Sequence, residues 1–159
     1  MPHAFYTIGC NTWTTDKRAA MLVATLRLAG VGMLIDIRHS PCSSQTVAGN
    51  YGPKPWTLQV KGAGIRPLVA AVGIGYQWVV ELGNPQKTDP DMRVLAEHLD
   101  DAAGDWPVHR GLAIVKKLVL GGKSVGLMCA CTRYAGCHRK LVAEALLHDH
   151  LPPAPPTGT

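Results

Sequence analysis

The sequence predicts an α/β fold: a three-layer sandwich around a Rossmann-like, mostly parallel sheet. Two observations carry this. Val31 to Ile37 reads VGMLIDI, the near-continuous apolar run of a central parallel strand covered by helices on both faces. Strand-like and helix-like stretches then alternate along the chain, as they do in α/β domains. A length of 159 residues suits one domain with its own core. Residues 1–150 are therefore expected to form a single α/β domain. Residues 151–159, LPPAPPTGT, are expected to be a disordered proline-rich tail.

The first strand is expected over Ala4 to Ile8, ending in Gly9, where the backbone can approach a ligand closely. Thr14 or Thr15 is placed to cap the next helix. Ala19, Leu22, Val23, Leu26 and Leu28 mark that helix's inner side, and Gly30 ends it. The second strand, Val31 to Ile37, leads into DIRHSP, with Asp36, Arg38 and His39 at its carboxyl end. Residues 42–64 hold too many glycines and prolines for a long regular element, and Trp56 within them can stack on a base or anchor the loop. A short helix follows over Ile65 to Val72, then a strand in GYQWVVEL. Thr88 or Asp89 is expected to cap a helix with Pro90 at its first position and Met92, Leu95, Ala96 and Leu99 inward. Another helix is expected over Val108 to Leu120. Val125 to Met128 is a buried strand, and Leu141, Val142, Ala145 and Leu146 recur at helical spacing after it.

Between that last strand and its helix lies the densest chemistry in the chain: Cys129, Cys131, Thr132, Arg133, Tyr134, Cys137, His138, Arg139 and Lys140. In open α/β sheets, ligands bind beyond the carboxyl ends of the strands. In a parallel sheet the DIRHSP loop shares that end, so the two loops are expected to meet in one crevice. The formal net charge of +5 favours an anionic partner, a small phosphorylated molecule or a nucleic acid. No stretch approaches a membrane span of about twenty apolar residues, and no leader sequence is evident, so a cytoplasmic protein without membrane association is expected. An odd count of five cysteines argues against a complete disulfide framework.

Taken together, YTIGCN, LIDIRHSP, VELGN and LMCACTRYAGCHRKLVAEALL resemble the domain of unknown function 488 family, from Tyr6 to Leu147. The resemblance implies a pocket of Gly9, Asp36, Arg38, Leu82, Gly83, Cys129, Cys137, His138 and Arg139. Cys10 and Cys131 stand where the family usually has histidine and glutamate.

Three functional readings follow. In the enzyme reading, Asp36 is a base or orients a neighbour, and Cys129 or Cys131 is a nucleophile. Arg38, Arg133 and Arg139 hold an anion, helped by Cys137 and His138 at the start of the last helix. The substrate class is a phosphate-bearing nucleotide or nucleic acid. In the second reading the domain binds such a ligand without turnover, with affinity that falls steeply with salt. In the third, Cys129, Cys131, Cys137 and His138 hold zinc or iron, with Cys10 as a possible substitute. Adjacent Cys137 and His138 make joint chelation awkward, so the site assignment includes no metal. The cofactor and the oligomeric state are unknown from the sequence. Seven residues separate Cys131 from Arg139 and three separate Cys129 from Arg133, so the tyrosine-phosphatase spacing of five is absent. The glycines fit neither the dinucleotide nor the P-loop pattern.

Overall fold

A computed structural model describes residues 5–9, 12–13, 15–38, 65–83, 91–129 and 137–148. Among these, the strands are β1 (Phe5–Gly9), β2 (Met33–Asp36), β3 (Gly75–Trp78) and β4 (Val125–Cys129). They pair in the order β1-β4-β2-β3, every pair parallel. The helices are α1 (Thr15–Leu28), α2 (Ile65–Ala70), α3 (Arg93–Asp100), α4 (Pro107–Leu120) and α5 (His138–His148).

The connections explain the layering. β1 to β2 and β2 to β3 step the same way across the sheet, and β3 to β4 steps back. Right-handed crossovers then send α1 and α2 to one face and α3 and α4 to the other. The core divides accordingly. Leu34 and Met128 pack with Leu22 and Leu26 of α1 and Ile65 and Val69 of α2. Ile35, Leu127 and Cys129 pack on the opposite side with Leu95, Val115 and Leu146. β4 lies between β1 and β2, each followed by a helix on the α1 side, while its own helix α5 takes the other face. Such reversals open the ligand crevices of α/β sheets.

One motif feeds three of the strands. At the end of α1, Gly30 takes φ +71°. Its N–H bonds the Arg27 carbonyl, and the Val31 N–H bonds that of Leu26 at 2.9 Å. This is a Schellman closure, which needs a residue tolerant of the left-handed region. Val31 and Leu26, brought together by it, both join the α1-side core. Gly73 after α2 and Gly122 after α4 repeat the pattern, with N–H bonds from Ile74 to Val69 and from Lys123 to Leu118.

Several expectations are corrected. Leu28 is 91% exposed rather than inward. It follows Leu26 by two residues, about 200° around a helix, and so leaves the buried stripe. The strand expected over GYQWVVEL stops at Trp78, and Val80–Leu82 form a 3₁₀ turn. That turn drives Leu82 into the core beside Gly111 of α4, where a β-carbon would stand 2.7 Å from Leu82 Cγ. α4 starts at Pro107, one residue earlier than read, with the proline in the first turn, where its missing N–H costs nothing. The helix expected to begin at Pro90 begins instead at Arg93, because Met92 takes the left-handed conformation at φ 56° and stands before the helix as its cap rather than within its inner face. The proline tail and the cap proposed at Thr14 lie outside the described residues. Among the described residues, no helix is long and apolar enough to cross a membrane.

Candidate functional site

Asp36 and Cys129 are the last residues of β2 and β4, so both expected loops do start at the same end of the sheet. They do not start on the same face. Asp36 is in register with Met128, and side chains alternate along a strand. Asp36 therefore shares the α1 side with Met128, and Cys129 shares the α5 side with Ile37. The single expected crevice becomes two side-chain clusters separated by the sheet.

On the α1 side, Asp36 is fully buried and Arg38 nearly so. The Asp36 carboxylate accepts four hydrogen bonds. Oδ1 takes the Arg38 backbone N–H at 3.1 Å and its Nε–H at 2.9 Å. Oδ2 takes the Arg38 Nη2–H and the Tyr76 hydroxyl, each at 2.6 Å. A carboxylate offers about four lone-pair sites, so these donors fill it, which suits an anchor for Arg38 better than a base. Burial, then the Asp36 charge, push the Tyr76 hydroxyl far above its ordinary pKa, so it remains a donor. Trp78 Nε1–H donates to the Arg38 carbonyl at 2.8 Å, and the Arg66 guanidinium stands 5.1 Å from the Tyr76 ring centre. Tyr76 and Trp78 were not singled out from sequence. The signal was their place at a strand end, but using it requires knowing that β3 pairs with β2.

On the α5 side, Cys129, Cys137 and His138 are buried, and neither cysteine is in a disulfide. Cys137 is the N-cap of α5. Its sulfur accepts the Arg139 backbone N–H at 3.4 Å, as an N-cap acceptor does, and the Arg139 Nε–H also at 3.4 Å. A hydrogen bond from Cys129, joined by those from Arg139, holds the Cys137 thiol down to about 3 against the opposing effect of burial. Arg139 stands in the first helical turn, where a cation opposes the helix dipole. The Cys137 sulfur is the partner that offsets this.

His138 ties the cluster to β2. Its Nε2 lies 2.8 Å from the Ile37 carbonyl oxygen. A carbonyl only accepts, so Nε2 carries a proton, and in the neutral form of the ring the lone pair is then on Nδ1. Nδ1 lies 3.8 Å from Cys129 Sγ and 3.9 Å from Cys137 Sγ. The three ligand atoms all fall within 4.8 Å of one another. The objection to chelation by neighbouring Cys137 and His138 is thereby removed: the capping sulfur turns back over the helix start, and the ring reaches the same point.

Cys131 and Arg133 lie outside the described residues, as do Cys10, His39 and Trp56. Gly83 lines an apolar cavity of about 270 Å³ with Val80, Leu95 and His98, away from the six charged and thiol side chains of the two clusters.

Residues 53–146, more than half of the chain, match the family described as Domain of unknown function DUF488. The chain belongs to that family. The matched stretch includes Leu82, Gly83, Cys129, Cys137, His138 and Arg139 and leaves Gly9, Asp36 and Arg38 before it. No curated protein and no solved structure matches the chain.

Proposed function

We propose that this DUF488 member is a metal-dependent enzyme. Cys129 Sγ, Cys137 Sγ and His138 Nδ1 bind a zinc-like divalent ion at the carboxyl end of β4, and the substrate is a phosphate-bearing nucleotide or nucleic acid. The observation that carries the reading is the convergence of three soft ligand atoms with the histidine's other nitrogen committed to a carbonyl. Metal-bound histidines characteristically donate their second N–H in this way. Tetrahedral zinc, with bonds of about 2.3 Å to sulfur and about 2.0–2.1 Å to nitrogen, sets its ligands roughly 3.5–3.8 Å apart. The separations of 3.8 and 3.9 Å from Nδ1 are close to that before any ion draws the ligands in. Two thiolates balance a divalent charge, and catalytic zinc sites keep three protein ligands and an open position. The net charge of +5 supports an anionic substrate.

The test is chelator competition with zinc on the full chain. One ion per chain is expected, with affinity lowered more than about 100-fold by Cys129→Ser, Cys137→Ser or His138→Ala, beyond the usual outer-sphere loss. An equal loss in Cys131→Ser would make the site a closed, four-ligand structural centre and end the enzyme reading. No binding at micromolar zinc would end the metal reading.

A second reading is favoured by the Arg139 N–H and guanidinium hydrogen bonds to Cys137. In it Cys137, rather than Cys129 or Cys131, is a thiolate nucleophile, since such donors stabilise the reactive form. Rapid single-site alkylation of Cys137 in metal-free protein, with no zinc binding, would select it.

A further inference from the structure

We infer that Asp36 is a positioning residue for His138, acting across the sheet through the one peptide unit that joins Ile37 to Arg38. The inference rests on the metal-centre reading for its purpose, though not for its geometry. The Arg38 N–H that Asp36 Oδ1 accepts at 3.1 Å and the Ile37 carbonyl that meets His138 Nε2 at 2.8 Å belong to the same planar group. No cis peptide occurs among the described residues, so this N–H and C=O point in opposite directions. One end of the unit meets the Asp36 carboxylate and the other meets the imidazole.

Hydrogen bonds in series polarise one another, most strongly away from water. The carboxylate on the N–H side, its charge shared with Arg38 and Tyr76, draws electron density toward the Ile37 oxygen and makes it a stronger acceptor. The His138 proton is thereby held on Nε2, and the Nδ1 lone pair is directed at the two sulfurs. The arrangement is a carboxylate–peptide–histidine relay, one peptide longer than the carboxylate–histidine pairs that orient metal-bound imidazoles. Arg38 and Tyr76 set the strength of the input, because both also donate to the same carboxylate. The relay gives the Asp36 cluster a role in a site its side chain never reaches.

The test is nuclear magnetic resonance of the His138 ring in the full, ¹⁵N-labelled, metal-free chain, so it does not depend on metal binding. Wild type is expected to show the Nε2–H tautomer with a downfield Hε2. Asp36→Asn keeps the shape and loses the charge, so Hε2 should move upfield and the tautomer population should become mixed. Tyr76→Phe removes a competing donor from the carboxylate, so Hε2 should move the other way. If Asp36→Asn does not fold, the sign of the Tyr76→Phe shift decides alone. Unmoved His138 resonances in folded variants, or shifts of the same sign, would overturn the relay. Zinc affinity is read separately, with a loss of about 10–100-fold expected for Asp36→Asn. Opposite shifts in a protein that never binds zinc would uphold the relay and remove the metal. Tight zinc binding with unmoved resonances would do the reverse.

Discussion

The two faces of the sheet at the ends of β2 and β4 carry opposite kinds of cluster. On the α1 side, donors outnumber acceptors around a single carboxylate, and every oxygen lone pair of Asp36 is used. On the α5 side, two sulfurs and the His138 Nδ1 face one another, and the ring's Nε2–H is committed to Ile37. The first cluster is electrostatically closed by its own residues. The second is rich in electron pairs and suits a cation. Substitutions in the first should therefore register first in stability and reach binding only through the Ile37–Arg38 peptide, whereas substitutions in the second should register mainly in binding.

The largest stability effect is expected for Asp36→Ala. It removes the carboxylate that pairs with the buried Arg38 guanidinium, and loss of one partner of a buried ion pair costs about 3–5 kcal/mol. Urea denaturation of the metal-free protein would show it as a fall in midpoint. Replacing both partners together, as Asp36→Leu with Arg38→Met, should recover most of that loss, because an apolar pair leaves no buried charge behind. If the double variant is as unstable as the single one, the pair is doing more than neutralising itself.

Removing metal is expected to come next. An ion present at about 100 times its dissociation constant stabilises the folded chain by about 2.7 kcal/mol. Adding chelator to zinc-loaded protein should lower the melting temperature by the corresponding amount in wild type and leave Cys137→Ser unchanged. An equal fall in the variant would place the ion elsewhere.

Tyr76→Phe removes one hydrogen bond to a charged group, worth about 1.5–3 kcal/mol. Its effect should depend on pH in a defined sense. The folded-state pKa of Tyr76 is raised, so the folded protein holds the proton that an unfolded tyrosine releases near pH 10. The contribution is complete below that pH and is lost as pH rises beyond it. The stability difference between wild type and Tyr76→Phe should narrow in denaturant titrations from neutral to strongly alkaline pH. A difference that widens would contradict the assignment. The smallest effect is expected for Cys129→Ala without metal. Trimming this small buried side chain should cost about 1 kcal/mol, to which the loss of its hydrogen bond to Cys137 adds.

How far this division could be read from the sequence depends on which interactions are local. VGMLIDI announces a covered parallel strand by composition alone, and the Gly30 stop follows from the left-handed closure it makes. The start of α5 at His138 was likewise legible, because an apolar helical spacing follows a polar loop. The separation of Asp36 from Cys129 was not. It rests on the pairing of Asp36 with Met128, a one-residue offset between strands more than 90 positions apart, and a shift of one residue would reverse every facing. Tyr76 was hidden for the same reason, since the hydroxyl–carboxylate bond depends on β3 lying next to β2. The compatibility of Cys137 and His138 as ligands depends on the cap conformation, which adjacency in sequence does not reveal.

The central claim is that the electron-rich face holds a metal ion, and crystallography of the zinc-loaded chain tests it most directly. An anomalous difference map recorded above the zinc edge is predicted to show one strong peak about 2.3 Å from Cys129 Sγ and Cys137 Sγ and about 2.0–2.1 Å from His138 Nδ1, with Nε2 still on the Ile37 carbonyl. A map with no peak there, or with Cys129 and Cys137 joined as a disulfide while zinc is present, would contradict it.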